Sequence, residues 1–278
     1  MRTLTFIILF LFSLFRVFGQ TANTGQKIKG KIISENKQVM FATIGIAEVN
    51  IGTITNELGD FELEIPIQFI NHMLTISHIG YNTVNLKLDS LFTYDHVVVE
   101  LTEKVAFLEN VVVTSKKLKG KTKEYGNKKK HDSFLWIQDG DKGAEIVTLI
   151  EPKTEILLNS VSLNVLNMLE KEFTLLLNIY AVNKITSLPD VQLLKNQKVI
   201  RSNIKKGWLE IDLSEEDMIL SKPFYIGFQW VDIAEPLPLI GGKSGNSKKS
   251  LIRYKALGTW SRFAEWDIKI KGTFYEAP

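Results

Sequence analysis

The chain has 278 residues, 45% hydrophobic and 23% charged, a composition that is ordinary for a globular protein and excludes overall disorder. It has no cysteine, which excludes disulfides, thiolate metal sites, a cysteine nucleophile and a lipidated cysteine. The net charge of +3 is too small to indicate a particular partner, and the length favours two domains.

Residues 1–20 are typical of a secretory signal peptide. Arg2 precedes an apolar run at 4–14, and small or tolerated residues at 17–19 offer a cleavage site. The run is shorter than the roughly 20 residues that a membrane span needs, and no later segment is long and apolar enough for a transmembrane helix. We therefore expect export, with cleavage near Gly19.

Residues 26–102 are predicted to form short strands separated by turns. "KIKGKIIS" (27–34) alternates basic and apolar residues, and "DFELEI" (60–65) sends its apolar residues to one face. "FATIGI" (41–46), "MLTISHIGYNTVNLKL" (73–88) and "HVVVEL" (96–101) continue the series. Strands at such regular intervals, without a helical period, indicate an antiparallel β-sandwich.

In the stretch "TNELGDFEL" (55–63), the carboxylates of Glu57 and Asp60 could suggest a metal site. The pattern instead favours a hairpin turn, in which Gly59 takes a positive φ and Asn56 bonds back to the backbone. Asp60 would then begin the next strand, and Phe61 would return the chain to the core. Because no third and fourth oxygen ligands are nearby in the sequence, we expect no metal here.

The order of these segments resembles the carboxypeptidase regulatory-like domain, a transthyretin-like β-sandwich. The matching residues are Gly30, Gly52, Thr55, Gly59, Phe61, Gly80 and Tyr81. Asn56 stands where the family usually has Asp, and Met40-Phe41 replaces the usual Pro-Leu. The resemblance implies a β-sandwich that accompanies catalytic domains without being catalytic itself.

"FLENVVVTSKK" (107–117) is similar to the segment that follows this domain in TonB-dependent receptors. In those receptors a plug and a barrel of about 22 strands come next. The roughly 150 residues that remain cannot supply such a barrel at about 9–11 residues per strand. The resemblance thus implies a stand-alone relative of the receptor extension, without receptor transport. The stretches "LLLNIYAV" (175–182) and "KKGWLEIDLSEEDMILSKPFYIGFQWV" (205–231) resemble the β-rich second half of exported Bacteroidota proteins that carry this domain, which implies a cell-envelope protein, periplasmic or associated with the outer membrane.

Residues 103–131 are predicted to be a lysine-rich linker. "SKKLKGKTKEYGNKKKH" (115–131) has no apolar period and cannot bury a core, so a solvated segment is expected. Lys116–Lys130 could alternatively contact anionic lipid or lipopolysaccharide. Tyr125 is the single aromatic residue in this stretch, which makes nucleic-acid binding by stacking unfavourable.

Residues 132–278 are predicted to form a second, jelly-roll-like β-sandwich. About eight segments alternate polar and apolar residues, among them "EILLNSVSLNVLN" (155–167), "EFTLLLNIYAVN" (172–183) and "PFYIGFQWVD" (223–232). "VLNMLEKEFTLLLNIY" (165–180) could also form a helix from its Leu and Met spacing, but we favour a hairpin around Glu170-Lys171.

Three polar stretches of this second part could carry chemistry, and each has a structural interpretation. "QDGDKGAE" (138–145) lacks the full calcium-loop pattern and is predicted to be a turn before a strand. "SEEDM" (214–218) is interpreted as a short helix start capped by Ser214. "GGKSGNSKKS" (241–250) lacks phosphate-loop spacing and is interpreted as a flexible loop.

No catalytic residue, metal or cofactor is predicted. Beyond residue 131 there is no histidine or cysteine, which excludes Ser-His-Asp and Cys-His mechanisms in that part. We therefore expect an exported, non-enzymatic protein with a structural or protein-interaction role. A carboxylate-pair hydrolase, using Asp139 or Asp141 with Glu215 or Asp232, is a weaker alternative.

The leading alternative is a carbohydrate-binding module. Aromatic residues of a jelly roll can stack on sugars. The candidate stacking residues are Trp208, Trp230, Trp260 and Trp266. Burial in the core is the competing interpretation, because the strand at 223–232 alternates and one of its faces must point inward.

Overall fold

The computed structural model describes residues 25–104, 121–126, 134–135, 142–166, 172–231, 239–243, 245 and 247–274. Regular structure in these ranges is almost entirely β, in four sheets that form two sandwiches. The predicted all-β class, with two successive sandwiches, is therefore confirmed. No helix in the described ranges is long and apolar enough to cross a membrane.

The first sandwich is built from two four-stranded sheets. β1 forms the first sheet with β2 and β5 as antiparallel neighbours and β8 as a parallel one, and the second sheet has the order β4-β3-β6-β7. A 3₁₀ turn (Ile67–Phe69) and the helix α1 (Leu88–Leu91) connect strands. The strands are β1 (Gln26–Ser34), β2 (Lys37–Gln38), β3 (Thr43–Ile46), β4 (Ile51–Ile54), β5 (Asp60–Ile65), β6 (Met73–Ser77), β7 (Val84–Lys87) and β8 (Val97–Glu100).

The core of the first sandwich follows the two-residue period of its strands. In β5, Phe61, Leu63 and Ile65 are buried while Glu62 and Glu64 are exposed. These apolar faces pack against those of β1, β3 and β6, whose Ile32, Ile44 and Ile76 have no exposed surface. Burial of such side chains, each contributing about 1.5–3 kcal/mol relative to exposure, is what drives the two sheets together.

The second sandwich pairs an eight-stranded sheet with a seven-stranded one. The larger sheet has the order β10-β19-β12-β23-β9, with β16 and β17 on β12 and β22 on β19. The smaller has the order β14-β13-β18-β11-β20-β21, with β15 on β13. The strands are β9 (Lys121–Gly126), β10 (Phe134–Leu135), β11 (Glu145–Ile150), β12 (Ile156–Leu166), β13 (Phe173–Val182), β14 (Pro189–Gln192), β15 (Lys198–Ser202), β16 (Lys206–Asp212), β17 (Ile219–Leu220), β18 (Phe224–Trp230), β19 (Leu239–Lys243), β20 (Ser250–Arg253), β21 (Ser261–Arg262), β22 (Glu265–Trp266) and β23 (Ile268–Phe274).

The larger core lies between these two sheets. β18 contributes Phe224, Ile226, Phe228 and Trp230, and the facing β12 and β23 contribute alternate Ile, Leu and Val side chains. Phe228 meets Trp266 edge-on, with ring centroids 6.0 Å apart. The alternation predicted for these strands is therefore the one that builds the core.

The lysine-rich segment is not a linker throughout. Its residues 121–126 form β9, which pairs antiparallel with β23 at the edge of the eight-stranded sheet. The prediction missed this strand because the segment has almost no apolar residues. Its Tyr125 packs against the core, and Glu124 forms an ion pair of 3.2 Å with Lys269 on β23. At this solvated sheet edge, the backbone pairing with β23 is accompanied, within the described ranges, by a single apolar contact, that of Tyr125.

The hairpin predicted around Glu170-Lys171 is wrong, although both of its strands exist. β12 belongs to the eight-stranded sheet and β13 to the seven-stranded sheet, so the chain crosses between the sheets instead of turning back beside itself. The helical alternative for 165–180 is also excluded over 172–180, which lie in or beside β13. The sequence predicted two strands but could not show their partners.

Two local predictions for the second sandwich also need correction. Leu239–Lys243 is strand β19, so the Gly-Gly of "GGKSGNSKKS" lies in a buried strand and not in a flexible loop. Residues Ser214–Glu216 do form a 3₁₀ turn, but Ser214 does not cap it. The Asp212 carboxylate accepts a 2.9 Å hydrogen bond from the Ser214 N–H instead.

Candidate functional site

The two sandwiches meet at a junction centred on the loop 254–259. Ala256 of this loop is fully buried, and its carbonyl oxygen lies against the β3–β4 hairpin. A Cβ at Gly52 would overlap that oxygen, and a Cβ at Gly45 would lie 2.9 Å from it. Only glycine at these positions lets the backbones approach so closely. The hairpin thus provides a socket for the loop.

Two hydrogen bonds to the backbone of Glu48 fix this loop in the socket. The Glu48 N–H donates to the Leu257 carbonyl at 3.1 Å, and the Thr259 hydroxyl donates to the Glu48 carbonyl at 3.3 Å. Glu48 and Leu257 both take positive φ values, 63° and 59°. Non-glycine residues adopt this conformation at a cost, which the contacts at the junction offset.

An apolar seam continues the junction along the seven-stranded sheet. Phe41 and Ile54 of the first sandwich pack against Leu176 and Val231 of the second, and all four are buried. At the rim of the seam, the Gln197 amide donates to the Phe41 carbonyl at 3.3 Å. Because apolar and polar contacts act together here, the two sandwiches form one body in the structure.

A buried charge cluster lies on the same outer face of the seven-stranded sheet. Glu145 has no exposed surface, and its carboxylate accepts hydrogen bonds from Arg253 at 2.5 Å, Asn178 at 2.7 Å and Tyr180 at 3.0 Å. Burial, together with the negative charge of Glu145, raises the pKa of Tyr180 well above its usual range. Tyr180 therefore remains a hydrogen-bond donor to Glu145, whose carboxylate is fully buried, while the Arg253 side chain keeps 12% of its surface exposed.

A polar cleft opens on the outer face of the eight-stranded sheet, on the opposite side of the second sandwich. Its volume is about 550 Å³. The lining residues come from β9, β12, β16 and β23: Thr122, Asn159, Ser160, Glu210, Asp212, Lys271 and Thr273. All of them are polar, and the two carboxylates stand on the opposite side of β12 from the lysine.

The side chains of the polar cleft are held by hydrogen bonds to each other. Ser160 donates to Glu210 at 2.7 Å, and Thr273 donates to the Asn159 side-chain oxygen at 2.9 Å. The backbone N–H of Ser214 lowers the pKa of Asp212, so this carboxylate stays ionised. The cleft therefore presents fixed donors and acceptors with charges of both signs.

The predicted turn residues do form a tight turn between β4 and β5, but β4 pairs with β3 and β5 pairs with β1, so the two strands lie in different sheets and do not form the predicted hairpin. Gly59 has a φ of +77°, and the Asn56 side-chain oxygen accepts from the N–H groups of Leu58 and Asp60, both at 2.9 Å. Phe61 is buried. Glu57 has a role that the sequence did not indicate, because it forms a 2.6 Å ion pair with Arg201 of the second sandwich.

The other two signature residues lie at the end of β6. Gly80 has a φ of +90°, and its carbonyl accepts from the Lys104 N–H at 2.7 Å. Tyr81 packs against the first core and meets His78 edge-on at 5.1 Å. The contacts of these residues shape the end of the first sandwich.

The four candidate stacking tryptophans are not brought together. Trp230 and Trp266 are buried in the second core, at 2% and 1% exposure, and the indole N–H of Trp266 donates to Thr148. Trp208 and Trp260 are half-buried on opposite outer faces, under Lys269 and Arg253 respectively. A sugar platform of all four is therefore not formed, because two of them fill the space between the sheets.

The candidate carboxylates of the weaker hydrolase hypothesis do not form a described pair. Asp139, Asp141 and Asp232 lie outside the described residues, and Glu215 is exposed on the 3₁₀ turn. Among the residues that the structure describes, no three His, Asp or Glu side chains are arranged to hold a metal. Most of Lys116–Lys130 also lies outside the described residues, apart from β9.

Sequence reasoning missed both the buried cluster and the polar cleft. In "AEIVTLIEP" (144–152), Glu145 falls in phase with Val147 and Leu149, a signal that its face is covered. In "GWLEIDLS" (207–214), Trp208, Glu210 and Asp212 share a face. The assembly of the cleft was not visible, because its walls come from strands that lie up to 150 positions apart.

Comparison with known proteins supports the first sandwich as a domain. Residues 28–113 match the family model of the CarboxypepD_reg-like domain. The chain therefore carries this domain at its first sandwich, in agreement with the signature residues Gly30, Gly59 and Gly80. No curated protein sequence matches the chain.

Among solved structures, the chain is similar to the cysteine protease and lectin-like domains of Cwp84, a surface layer associated protein of Clostridium difficile. The identity is 8% and the TM-score is 0.37, with 81% of this chain and 45% of that chain covered. The chain thus spans less than half of that structure. A likeness at this level carries no argument about function.

Proposed function

We propose that this is an exported, non-enzymatic protein of the cell envelope that has a structural or protein-interaction role. The amino-terminal pattern of Arg2 and the apolar run at 4–14 supports export. The similarity of 107–117 to the segment that follows this domain in TonB-dependent receptors supports a place in the cell envelope, periplasmic or at the outer membrane. The resemblance of 175–182 and 205–231 to exported Bacteroidota proteins supports a Bacteroidota source.

The docking of the two sandwiches is the observation that carries this proposal. A junction that combines an apolar seam, a glycine socket and backbone hydrogen bonds holds two β-sheet surfaces in a fixed relation. Contacts between domains of one chain are often small, and the domains then move relative to each other. A junction fixed at several points indicates instead that the two sandwiches act as one rigid body, which favours a binding role over a hinge. A rigid body also loses less entropy when it binds.

Cross-linking in intact cells tests the proposal. A tagged copy of the protein is treated with an amine-reactive cross-linker, which reacts with its many lysine side chains. The recovered adducts are identified by mass spectrometry. We expect one envelope protein to be recovered repeatedly. The matched variant Gly52→Val, which overfills the socket, should recover less of it. Recovery of the protein alone, or equal recovery by both forms, would contradict the proposal.

A further inference from the structure

We propose that the polar cleft binds a neutral oligosaccharide. This assignment goes beyond the interaction role of the docked body, and it uses residues other than the four-tryptophan set considered from the sequence. It follows from the geometry of the sheet, from the hydrogen bonds that position the lining residues, and from the balance of charge across the cleft.

The sheet register sets the width of the cleft. Ser160 on β12 lies opposite Asp212 on β16 and opposite Lys271 on β23. Two strand spacings therefore separate Asp212 from Lys271, which places their Cα atoms about 10 Å apart across the sheet. The two exposed charges stand as walls, with the buried Ser160 as the floor between them. The cleft volume of about 550 Å³ falls within the usual range for small-molecule sites, about 300–1,000 Å³.

The lining chemistry matches hydroxyl groups. A sugar hydroxyl both donates and accepts, so it needs carboxylate or carbonyl acceptors and ammonium or amide donors within reach. Asp212 and Glu210 supply acceptors, Lys271 supplies donors, and Asn159 carries both. The bonds from Ser160 to Glu210 and from Thr273 to Asn159 fix these groups before binding, which lowers the entropy cost of ordering them.

The same lining disfavours other classes of ligand. Two carboxylates against Lys271 repel a phosphate or another anion. Among the described residues, no apolar side chain lines the cleft. An apolar ligand would displace water from the polar groups without replacing the hydrogen bonds that the water made, which costs free energy. A neutral, hydroxyl-rich molecule can donate to the carboxylates and accept from the lysine at the same time.

Trp208 lies on the same face of β16 as Glu210 and Asp212, at the end of this row. It pairs with Asn164 on β12, and the Lys269 ammonium lies 4.8 Å from its ring centroid. Trp208 is two residues from Glu210 on the same face of β16, so its indole fluorescence offers a second readout of binding without Trp208 being part of the cleft.

The experiment is a titration of the full-length protein with neutral oligosaccharides. A glycan array of neutral and uronic-acid chains first selects the probe, and isothermal calorimetry with the best neutral hexasaccharide then measures Kd. Two variants remove cleft charges, Asp212→Asn and Lys271→Met. Asn keeps an oxygen that can accept from Ser214, so Asp212→Asn preserves the turn. Lys153→Ala, an exposed change elsewhere in the same sandwich, is the control.

We expect a Kd on the order of 0.1–1 mM for an open site of this kind. Each cleft variant should weaken binding by about tenfold, the effect of losing one charge-assisted hydrogen bond. The control should bind like the parent, and uronic-acid chains should bind more weakly. The proposal is overturned if no neutral oligosaccharide binds, or if the cleft variants, with unchanged melting temperature, bind as tightly as the control.

Discussion

Arg253 donates a hydrogen bond of 2.5 Å to Glu145 on the outer face of the seven-stranded sheet. The Glu145 carboxylate has no exposed surface. Burying two charges carries a large desolvation cost, which is repaid only if the remaining bonds of both groups are made. Tyr180 and Asn178 supply the further donors to Glu145, whereas Arg253 lies over the Trp260 ring at 4.7 Å and its buried Nε has no hydrogen-bond partner among the described residues.

The first prediction follows from this pair. Arg253→Met should lower the free energy of unfolding by about 3–5 kcal/mol, because it leaves the Glu145 carboxylate buried and unpaired. The double variant Glu145→Gln with Arg253→Met should be more stable than Arg253→Met alone, since no charge is then left in the site. Urea unfolding of all four proteins measures the cycle. A double variant less stable than Arg253→Met would contradict this prediction, and additive costs of the two single changes would show that the pair is not coupled.

The second prediction concerns the glycine socket. Gly52→Val places a branched side chain against the Ala256 carbonyl oxygen and should cost about 1–3 kcal/mol. Calorimetry should then resolve two transitions in place of one, because the sandwiches are no longer held together.

A second strand glycine provides the control for this change. Gly272→Ala introduces a Cβ that would lie 3.3 Å from the Leu157 carbonyl oxygen, a contact relieved by a shift of a few tenths of an ångström, so it should cost much less than Gly52→Val. Glu57→Ala removes the ion pair to Arg201 at the same junction and should cost less than about 1 kcal/mol, because both partners are half-exposed. A Gly52→Val protein that unfolds like the Gly272→Ala protein would contradict the socket.

The third prediction concerns the turn between β4 and β5. Gly59→Val should lower the melting temperature, with a cost of about 1–3 kcal/mol, because valine resists a φ of +77°. A Cβ there would also lie 2.6 Å from the Ile32 carbonyl oxygen. Gly59→Asn should recover little of the loss, since asparagine tolerates the φ but carries the same Cβ. Thermal scans beside the exposed control Leu58→Ala test this, and an unchanged melting temperature would refute it.

The fourth prediction is a pH dependence from His78, which lies near the junction. Burial lowers the pKa of His78 from its ordinary value of 6.5, against smaller opposing effects of Gln197 and backbone groups. The unfolded chain then binds the proton more readily than the folded one. Stability is therefore complete above about pH 6.5 and is lost as the pH falls below it.

The variant His78→Gln should flatten the stability profile between about pH 7 and 5, because glutamine does not titrate. His96→Gln, at an exposed histidine, is the matched control and should retain the acid loss. Urea unfolding midpoints of the parent and both variants, measured across this pH range, give the three stability profiles to be compared. If the parent and His78→Gln profiles coincide, His78 does not contribute to the loss.

The first sandwich could be predicted closely because its signals are local. Alternation in 60–65, the positive φ of Gly59 and the return of Phe61 to the core are all properties of a few neighbouring residues. The second sandwich was predicted only as a class. Its strands were visible from alternation, but β12 and β13 join different sheets, and nothing in residues 165–180 encodes that choice.

The junction and the polar cleft could not be predicted, since both depend on contacts between distant parts of the chain. Gly52 meets Ala256, and Ser160 lies between Asp212 and Lys271, only after the sheets have assembled. The lysine-rich strand β9 was missed for a related reason. Its pairing with β23 is made by backbone hydrogen bonds, which do not depend on the side-chain composition and so cannot be recognised from it.

The central claim is that the two sandwiches form one body, and a distance measurement between them tests it most directly. Because the chain has no cysteine, Glu100→Cys and Lys153→Cys place one spin label on an exposed site of each sandwich. Double electron–electron resonance should give a single narrow distance distribution, which broadens when Gly52→Val is added. A broad distribution in the protein without Gly52→Val would contradict the docked body and the function proposed from it.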